Sequence, residues 1–345
     1  MLGNSHSYRQ VIYGFEGLEV TQAEGEFFHQ ARPWGVILFA RNIDSRAQLR
    51  ELTDSLREMS GNPHLPILID QEGGRVARVR PPLVSAYPPM GVYGDIYQTD
   101  KTRAVEAARL GAALLAQDLF ELGINITCAP CLDLRLPEMS DVIGDRALGD
   151  DVETIVTLGR AVMDGLALGG VLPVVKHIPG HGRAAVDSHF ELPMIDADVA
   201  TLQSSDFEVF RQLNDAPMAM TGHLRFNAID AAQVSSLSPT LINGVVREHI
   251  GFDGLLMSDD VSMKALSGDM GDRARLCLSA GCDMILHCNG DAHEMQAIQA
   301  ALPARPSAEA QQRLDRVEAA LRDLSCQVPD NARKVWGELL GDKAP

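Results

Sequence analysis

No stretch of the chain approaches the ~18 consecutive apolar residues that cross a bilayer. Its longest apolar runs, such as Gly35–Ala40, are the size of a strand. The opening residues, Met1–Gln10, are polar and hold no apolar stretch of the secretory kind. A cytoplasmic location is the expectation. Basic charge is also scarce: 30 Lys and Arg stand against 47 Asp and Glu, a formal net charge of −17, with no Lys/Arg block. A polyanion needs a clustered basic face, so nucleic acid and anionic membrane are poor partners. The six cysteines, Cys128, Cys131, Cys277, Cys282, Cys288 and Cys326, are scattered. Cys128 and Cys131 satisfy a C-x-x-C spacing, but that redox motif normally opens a helix, and here it follows the strand-like run Ile124–Ala129. They read as small buried hydrophobes. Also missing are a linker-like break, a fixed-period repeat and a G-x-G-x-x-G after the first apolar run, the mark of a dinucleotide-binding open sheet.

What the sequence does hold is a regular alternation. Its 345 residues, 46% of them hydrophobic, are enough to bury a sizeable core. Short apolar, β-branched runs recur at Gln10–Tyr13, Gly35–Phe39, Leu65–Ile69, Ile124–Ala129, Leu172–Val175, Met218–Thr221, Gly254–Met257 and Asp283–Leu286. Helical spacing fills the intervals. Val105, Ala108, Ala112, Leu115, Leu119 and Leu122 step by three and four and end at Gly123; Ile155, Leu158, Val162 and Leu166 repeat the pattern. A third helix is expected from the N-cap Ser238 and Pro239 to Gly251. Leu314, Val317, Leu321 and Leu324 mark a last one. Near-continuous apolar strands alternating with helices imply a parallel sheet covered on both faces. Eight of them is the count of a closed α/β barrel of the (β/α)₈ TIM type, whose chemistry sits at the carboxyl ends of the strands. The expected organisation is a single catalytic barrel domain spanning 1–345, with a barrel core at about 8–300 and a helical extension at about 301–345. Pro81–Gly94 reads as a long loop after the third strand.

The strand ends carry the unusual polar residues. Strand three runs into Asp70-Gln71-Glu72-Gly73-Gly74-Arg75-Val76-Ala77-Arg78. After strand four come Asp133 and Gly144-Asp145-Arg146-Ala147-Leu148-Gly149. Strand five ends in Lys176-His177-Ile178-Pro179-Gly180-His181-Gly182, followed by Asp187-Ser188-His189; strands six and seven end in Thr221-Gly222-His223 and Ser258-Asp259-Asp260. Many directional donors and acceptors around one or two carboxylates suit a polyhydroxylated ligand. A strand-end carboxylate can attack an acetal carbon and form a covalent intermediate that water resolves. Its partner must protonate the leaving oxygen and later deprotonate water, and imidazole at pKa ~6.5 does both. Asp187, two residues before His189, is placed to orient that ring.

On these residues the chain resembles the bacterial β-N-acetylglucosaminidases of glycoside hydrolase family 3, the single-domain kind that works in peptidoglycan recycling. The marks are Asp-Gln-Glu-Gly-Gly-Arg at Asp70, Lys-His-Ile-Pro-Gly-His-Gly at Lys176, Asp-Ser-His at Asp187 and Ser-Asp-Asp-Val-Ser-Met at Ser258. The resemblance implies a retaining exo-enzyme that removes terminal GlcNAc from fragments such as GlcNAc-1,6-anhydro-MurNAc peptides. In it Asp259 is the nucleophile, and His189 the general acid/base assisted by Asp187. Asp70, Arg78, Arg146, Lys176 and His177 hold the sugar. No metal or other cofactor is expected, the partner is a small glycan substrate, and the chain is expected to be a monomer or weak dimer. Ile178 stands where the family usually has Phe, and Ala147-Leu148 where it has Ser-Phe, which bears on aglycone preference and loop packing. Adjacent strand residues point oppositely, so Asp259 rather than Asp260 faces the mouth. Arg75 orders its loop, His181 and His223 are structural, and His64, His249 and His293 are surface or loop residues. Three alternatives stand beside this reading. They are a metal-dependent barrel hydrolase using His177, His181, His189, His223 and Asp259, an N-acetylglucosaminide phosphorylase, and a sugar-binding barrel without turnover.

Overall fold

The fold is known from a computed structural model that describes residues 8–136, 141–184 and 192–344. Eight parallel strands close into a barrel: β1 (Arg9–Tyr13), β2 (Pro33–Leu38), β3 (Ile67–Ile69), β4 (Ile126–Thr127), β5 (Leu172–Ile178), β6 (Met218–Thr221), β7 (Leu255–Asp260) and β8 (Met284–His287). Each pairs with its sequence neighbours, and β8 returns to β1 through Val11–Ile285 and Tyr13–His287. The closed α/β barrel expected from the eight apolar runs is therefore the architecture. β3 and β4 are shorter than their apolar runs because side chains replace the ladder at both ends. Below, the Asn125 carboxamide takes the N–H of Ile67 at 2.8 Å and donates to Leu65 O. Above, the Thr127 hydroxyl accepts from the N–H of Gln71.

Strand alternation sorts the residues into two layers. Ile12, Leu68, Ile126, Val174, Met218, Met220, Leu255, Met257, Met284 and Leu286 fill the barrel interior. Their neighbours Val11, Ile67, Ile69, Val175, Ala219, Leu256 and Ile285 pack outward beneath the helices. The interior cluster also takes in Leu314, Val317 and Leu321 from the helix Ala308–Arg322, which closes the amino-terminal end of the barrel. Arg313 on that helix reaches the buried Asp283 at the start of β8, at 3.0 Å.

The anticipated helices are present. Lys101–Glu121 ends before Gly123, at φ +79°, and Val152–Leu168 opens on an Asp151 cap. The third runs Thr240–His249, with the Ser238 hydroxyl accepting from Leu241 N. It closes with an i→i+5 bond from Ile250 N–H to Val245 O, so it is a π-helix. The loop after β3 is more ordered than its proline content suggests. It begins with a tight hairpin, Gln71–Gly73 against Val76–Ala77, and ends at Met90, where the helix Gly91–Tyr97 starts.

A chain of contacts supports that hairpin from the far end of the sequence. Gly74 N–H bonds Tyr87 O at 2.9 Å. A Cβ at Gly73 would strike Pro88 O, so the turn and the proline segment lie backbone to backbone. The Tyr87 hydroxyl donates to Asp118 at 2.6 Å, and its ring centroid lies 5.6 Å from that of Trp336 on the helix Ala332–Leu340. Arg333 of the same helix donates to the Ser85 hydroxyl at 2.7 Å.

Two glycines make the packing testable. Gly165 sits where Val152–Leu168 crosses Lys101–Glu121, and a Cβ there would meet Arg109 O and come within 2.9 Å of Ala112 Cβ. Gly165→Ala should destabilise the fold by about 1–3 kcal/mol through overpacking. Gly337, in the last long helix, has nothing within 4 Å of such a Cβ. Gly337→Ala should stabilise by about 0.5–1 kcal/mol through backbone entropy. Urea unfolding of both variants measures the contrast, and a stable Gly165→Ala protein would refute the close crossing.

Candidate active site

The inward columns of the barrel stay apolar for two or three residues and then turn charged. On β3 the inward position after Leu68 is Asp70. On β5 the column Leu172, Val174 continues to Lys176, and on β7 the column Leu255, Met257 meets a register shift just before Asp259. These three groups therefore rise from different strands into one mouth, at the carboxyl end where barrel chemistry sits.

Lys176 is at the centre. Its side chain is only 3% exposed, and Nζ lies 3.0 Å from Asp70 Oδ1 and 2.6 Å from Glu72 Oε1. Arg78 completes the Asp70 pair at 3.1 Å, and its guanidinium lies over the Phe39 ring at 5.6 Å. Arg146 grips Glu72 with both arms, at 2.9 and 2.8 Å. Burial alone would raise the Asp70 and Glu72 pKa values, but Lys176 with Arg78, and Lys176 with Arg146, outweigh it. Asp70 is held well below the usual carboxylate range and Glu72 at about 2. Burial would likewise favour neutral Lys176, and the two carboxylates reverse that and raise its pKa.

A second buried pair lies alongside. Asp133 Oδ2 is 2.6 Å from His177 Nδ1, and Asp133 also accepts from the backbone N–H of His177 and, at 2.6 Å, of His181. With Nδ1 turned to Asp133, the Nε2 side of the His177 ring lies opposite that contact. Burial opposes the charge on Asp133, and His177 overcomes it, holding the carboxyl below its ordinary range. His181 is pushed down to about 4, first by burial and then by the neighbouring His177.

Asp259 and Asp260 have different surroundings. Asp260 is engaged in the turn beyond β7: its carboxylate takes the Ser262 N–H and hydroxyl at 3.0 and 2.7 Å and the Cys288 N–H at 3.2 Å. Asp259 Oδ1 accepts from the Asp260 N–H at 2.8 Å. The Asp259 charge acts on Cys128, as do those of Asp70, Lys176 and Glu72, and also on His181 and His223. The register between β7 and β8 shifts between Met257 and Asp260, so what separates the two acids is that Asp260 is engaged in the turn while the Asp259 charge acts on groups lining the mouth.

Of the anticipated residues, Asp70, Arg78, Arg146, Lys176 and His177 come together with Asp259. Asp187 and His189 lie outside the described residues. Arg75 ties its loop to the segment after β4, bonding Asp145 at 2.9 Å and the carbonyls of Asp141 and Val142. His223 is buried between the Ser236 hydroxyl and Asp260 O, and His64, His249 and His293 are exposed. Cys128 and Cys131 are fully buried, and Ile178, Ala147 and Leu148 are all packed inside. Gly180 and Gly182 serve close packing, a Cβ at Gly180 coming within 2.8 Å of Asp206 Cβ. A Cβ at Gly182 would strike Leu134 O, and His181 between them is pinned by Asp133. Two residues named among the strand-end polar groups receive no role from the sequence: Glu72 and Asp133. Glu72 is two positions beyond Asp70, the spacing that keeps two side chains on one face. Asp133 has no such signal beyond being an acid in an apolar segment.

A barrel mouth that gathers carboxylates, a lysine, arginines and a histidine suits a polyhydroxylated ligand. The glycosyl hydrolase family 3 N-terminal domain matches residues 11–320. A β-hexosaminidase of Chromobacterium violaceum is 37% identical over 316 residues, 90% of this chain and 87% of the relative. One from Methylobacillus flagellatus is 39% identical over 277 residues, 79% and 78% of the two chains. Among solved structures, NagZ from Neisseria gonorrhoeae in complex with N-trifluoroacetyl-D-glucosamine superposes with a TM-score of 0.86 at 27% identity, covering 97% of this chain and 98% of that one. The chain belongs to glycoside hydrolase family 3 and is a glycosidase of the β-N-acetylhexosaminidase class.

Glu72→Gln leaves Lys176 and Arg146 short of a charge in a buried site. We expect a loss of about 3–5 kcal/mol at neutral pH, the scale for breaking a buried pair. Folded Glu72 stays ionised down to about pH 2, whereas an unfolded glutamate titrates near ~4.3. Its contribution is complete above about pH 4.3 and is lost as pH falls towards 2. The stability gap between wild type and variant should narrow across that window in urea titrations. A gap constant with pH would remove the electrostatic account.

Proposed function

We propose that the chain is a retaining exo-β-N-acetylglucosaminidase that removes terminal non-reducing GlcNAc from peptidoglycan fragments, GlcNAc-1,6-anhydro-MurNAc peptides among them, in cell-wall recycling. The observation that carries the reading is the pairing of roles at the end of β7: Asp260 is taken up by the turn, while Asp259 joins the Asp70–Lys176 mouth. Asp259 attacks the anomeric carbon as the bond to the leaving oxygen breaks, and His189 gives that oxygen its proton. Water then attacks the same carbon, His189 takes the water proton, and the bond to Asp259 breaks. Asp187 orients the His189 ring. Asp70, Arg78, Lys176 and His177 hold sugar hydroxyls. Arg146, with three of its five N–H groups given to Glu72 and Val142 O, has two left for the sugar. The prior ionisation of Asp70 and Lys176 keeps one strong acceptor and one strong donor at the mouth across physiological pH. A cytoplasmic setting fits six unpaired cysteines, and the acidic surface fits a small glycan rather than nucleic acid or membrane as partner.

Asp259→Ala should lower turnover by roughly 10⁴-fold or more, the scale for removing a member of a covalent catalytic unit, and Asp260→Ala by less. A fluorinated slow substrate followed by peptide mass mapping checks the assignment; label on a peptide without Asp259 refutes it. Product analysis with a disaccharide muropeptide and with chitobiose, each with and without phosphate, separates hydrolysis from phosphorolysis and reads the aglycone preference.

His189→Ala should cripple hydrolysis of a natural glycoside, whose leaving alcohol needs a proton. It should spare the first step on an aryl glycoside with an acidic phenol. Rapid-mixing kinetics isolate that step, and equal losses on both substrates would remove His189 from the acid role. Exhaustive chelation should leave the rate unchanged, because no step calls for an ion; restoration of a lost rate by zinc would instead favour a metal hydrolase.

A further inference from the structure

Of the three cations at the mouth, Arg78 is held by the fewest polar contacts among those described. Arg146 gives three N–H groups to Glu72 and Val142 O, and Lys176 meets two carboxylates. The Arg78 side chain makes one hydrogen bond, to Asp70 Oδ2 at 3.1 Å. Its Nε is shut away from solvent and has no partner among the described residues. One bond leaves a guanidinium free to swing about the oxygen it holds. The remaining contact is with Phe39: the Arg78 guanidinium carbon lies 5.6 Å from the centre of that ring, and that of Arg41 lies 4.7 Å from it. From this arrangement we infer that Phe39 is a positioning residue for substrate recognition, its ring fixing the direction from which Arg78 meets the sugar. The inference rests on the sugar-holding role proposed above for Arg78.

The ring can do this because it is itself well anchored. Phe39 follows β2 directly and packs against the apolar cluster that fills the barrel. Its N–H donates to the Asn42 side-chain oxygen at 2.9 Å. The buried Asn42 carboxamide donates in turn to Phe15 O at 3.1 Å and Gly17 O at 2.7 Å. Arg41 is tied down as well: its Nε donates to Phe15 O at 2.8 Å and a terminal nitrogen to Cys288 O. The chain just beyond β1 and β8 thus holds this second guanidinium over the ring. A cation within about 6 Å of a ring centroid is drawn to the ring face by its quadrupole, more strongly where water is partly excluded. Arg78 lies in that range with its side chain 30% exposed. An aliphatic side chain at position 39 would fill the same space without that attraction. The base of Arg78 is set separately, its backbone N–H donating to Gln71 Oε1 at 2.8 Å. Phe39 therefore acts on the tip of the side chain, through Arg78 and not on the reacting atoms. Losing it should weaken ground-state and transition-state binding alike, raising KM and sparing kcat.

The test is a double-mutant cycle on the full-length protein, with Phe39→Leu and Arg78→Ala and a GlcNAc aryl glycoside as substrate. Phe39→Leu should raise KM by roughly 3- to 30-fold, the affinity equivalent of one cation–π contact. Its kcat should stay within about twofold of wild type. Phe39→Tyr, which keeps the ring face, should restore the wild-type KM. In the Arg78→Ala background, Phe39→Leu should raise KM no further. Urea unfolding of the same four proteins reads the contact without substrate, and the stability losses of the two single variants should be non-additive. Phe39→Met takes the place of the leucine variant if that protein does not fold. A wild-type KM in Phe39→Leu, failure of tyrosine to rescue, equal KM rises with and without Arg78, or additive stability losses overturns the inference and leaves the proposed function standing. A wild-type KM in Arg78→Ala overturns the proposed role of Arg78 in holding the sugar, and with it the inference.

Discussion

An ammonium group buried in a protein interior must be matched by opposite charge, or it loses its proton. Lys176 meets that constraint with two carboxylates, Asp70 and Glu72. Each of these brings its own guanidinium, from Arg78 and Arg146. The result is a line of alternating charges, Arg78, Asp70, Lys176, Glu72, Arg146, that joins β3 and its hairpin to β5 and to the segment after β4. Most of the mouth geometry follows from keeping that line intact. The hairpin brings Glu72 and Arg78 back over the barrel, and Arg75 fastens the segment that carries Arg146.

Alternating charges in a low-dielectric site are rigid as well as costly. Each member has few positions that satisfy both neighbours, so the charged groups of the mouth are set before any ligand arrives. Such preorganisation is what a glycosidase needs if binding energy is to act on the transition state. Asp133 plays the same part for His177, tying backbone and ring with one carboxylate. The barrel beneath supplies the fixed frame: Asp70 and Lys176 are each the next inward position above an apolar one.

Much of this was legible in the residues. The eight runs gave the barrel because parallel strands covered on both faces must be apolar throughout, and the strand ends stood out as the places where that pattern broke. Alternation favoured Asp259 over Asp260 in the sequence, but the register shift between Met257 and Asp260 was not legible there. Glu72 and Asp133 were harder, since their work is to hold other side chains, and a holding role depends on partners 74 and 44 positions away. The hairpin inside a glycine-rich loop was hidden for a related reason: Gly73 and Gly74 fit it because of Pro88 and Pro89 across the gap, a contact no local pattern encodes. The hydrogen-bonding of the helix Thr240–His249 was equally silent, as its apolar spacing suits any helix.

The helix Ala332–Leu340 gives the loop after β3 its backing through Trp336 and Arg333. During synthesis from the amino end, all eight strands leave the ribosome before this helix does. The barrel has its whole sheet available while the hairpin bearing Glu72 and Arg78 still lacks its support. Closure of the sheet and support of the mouth hairpin are thus separated by the order of the chain, because the helix that contacts Tyr87 and Ser85 is made after all eight strands.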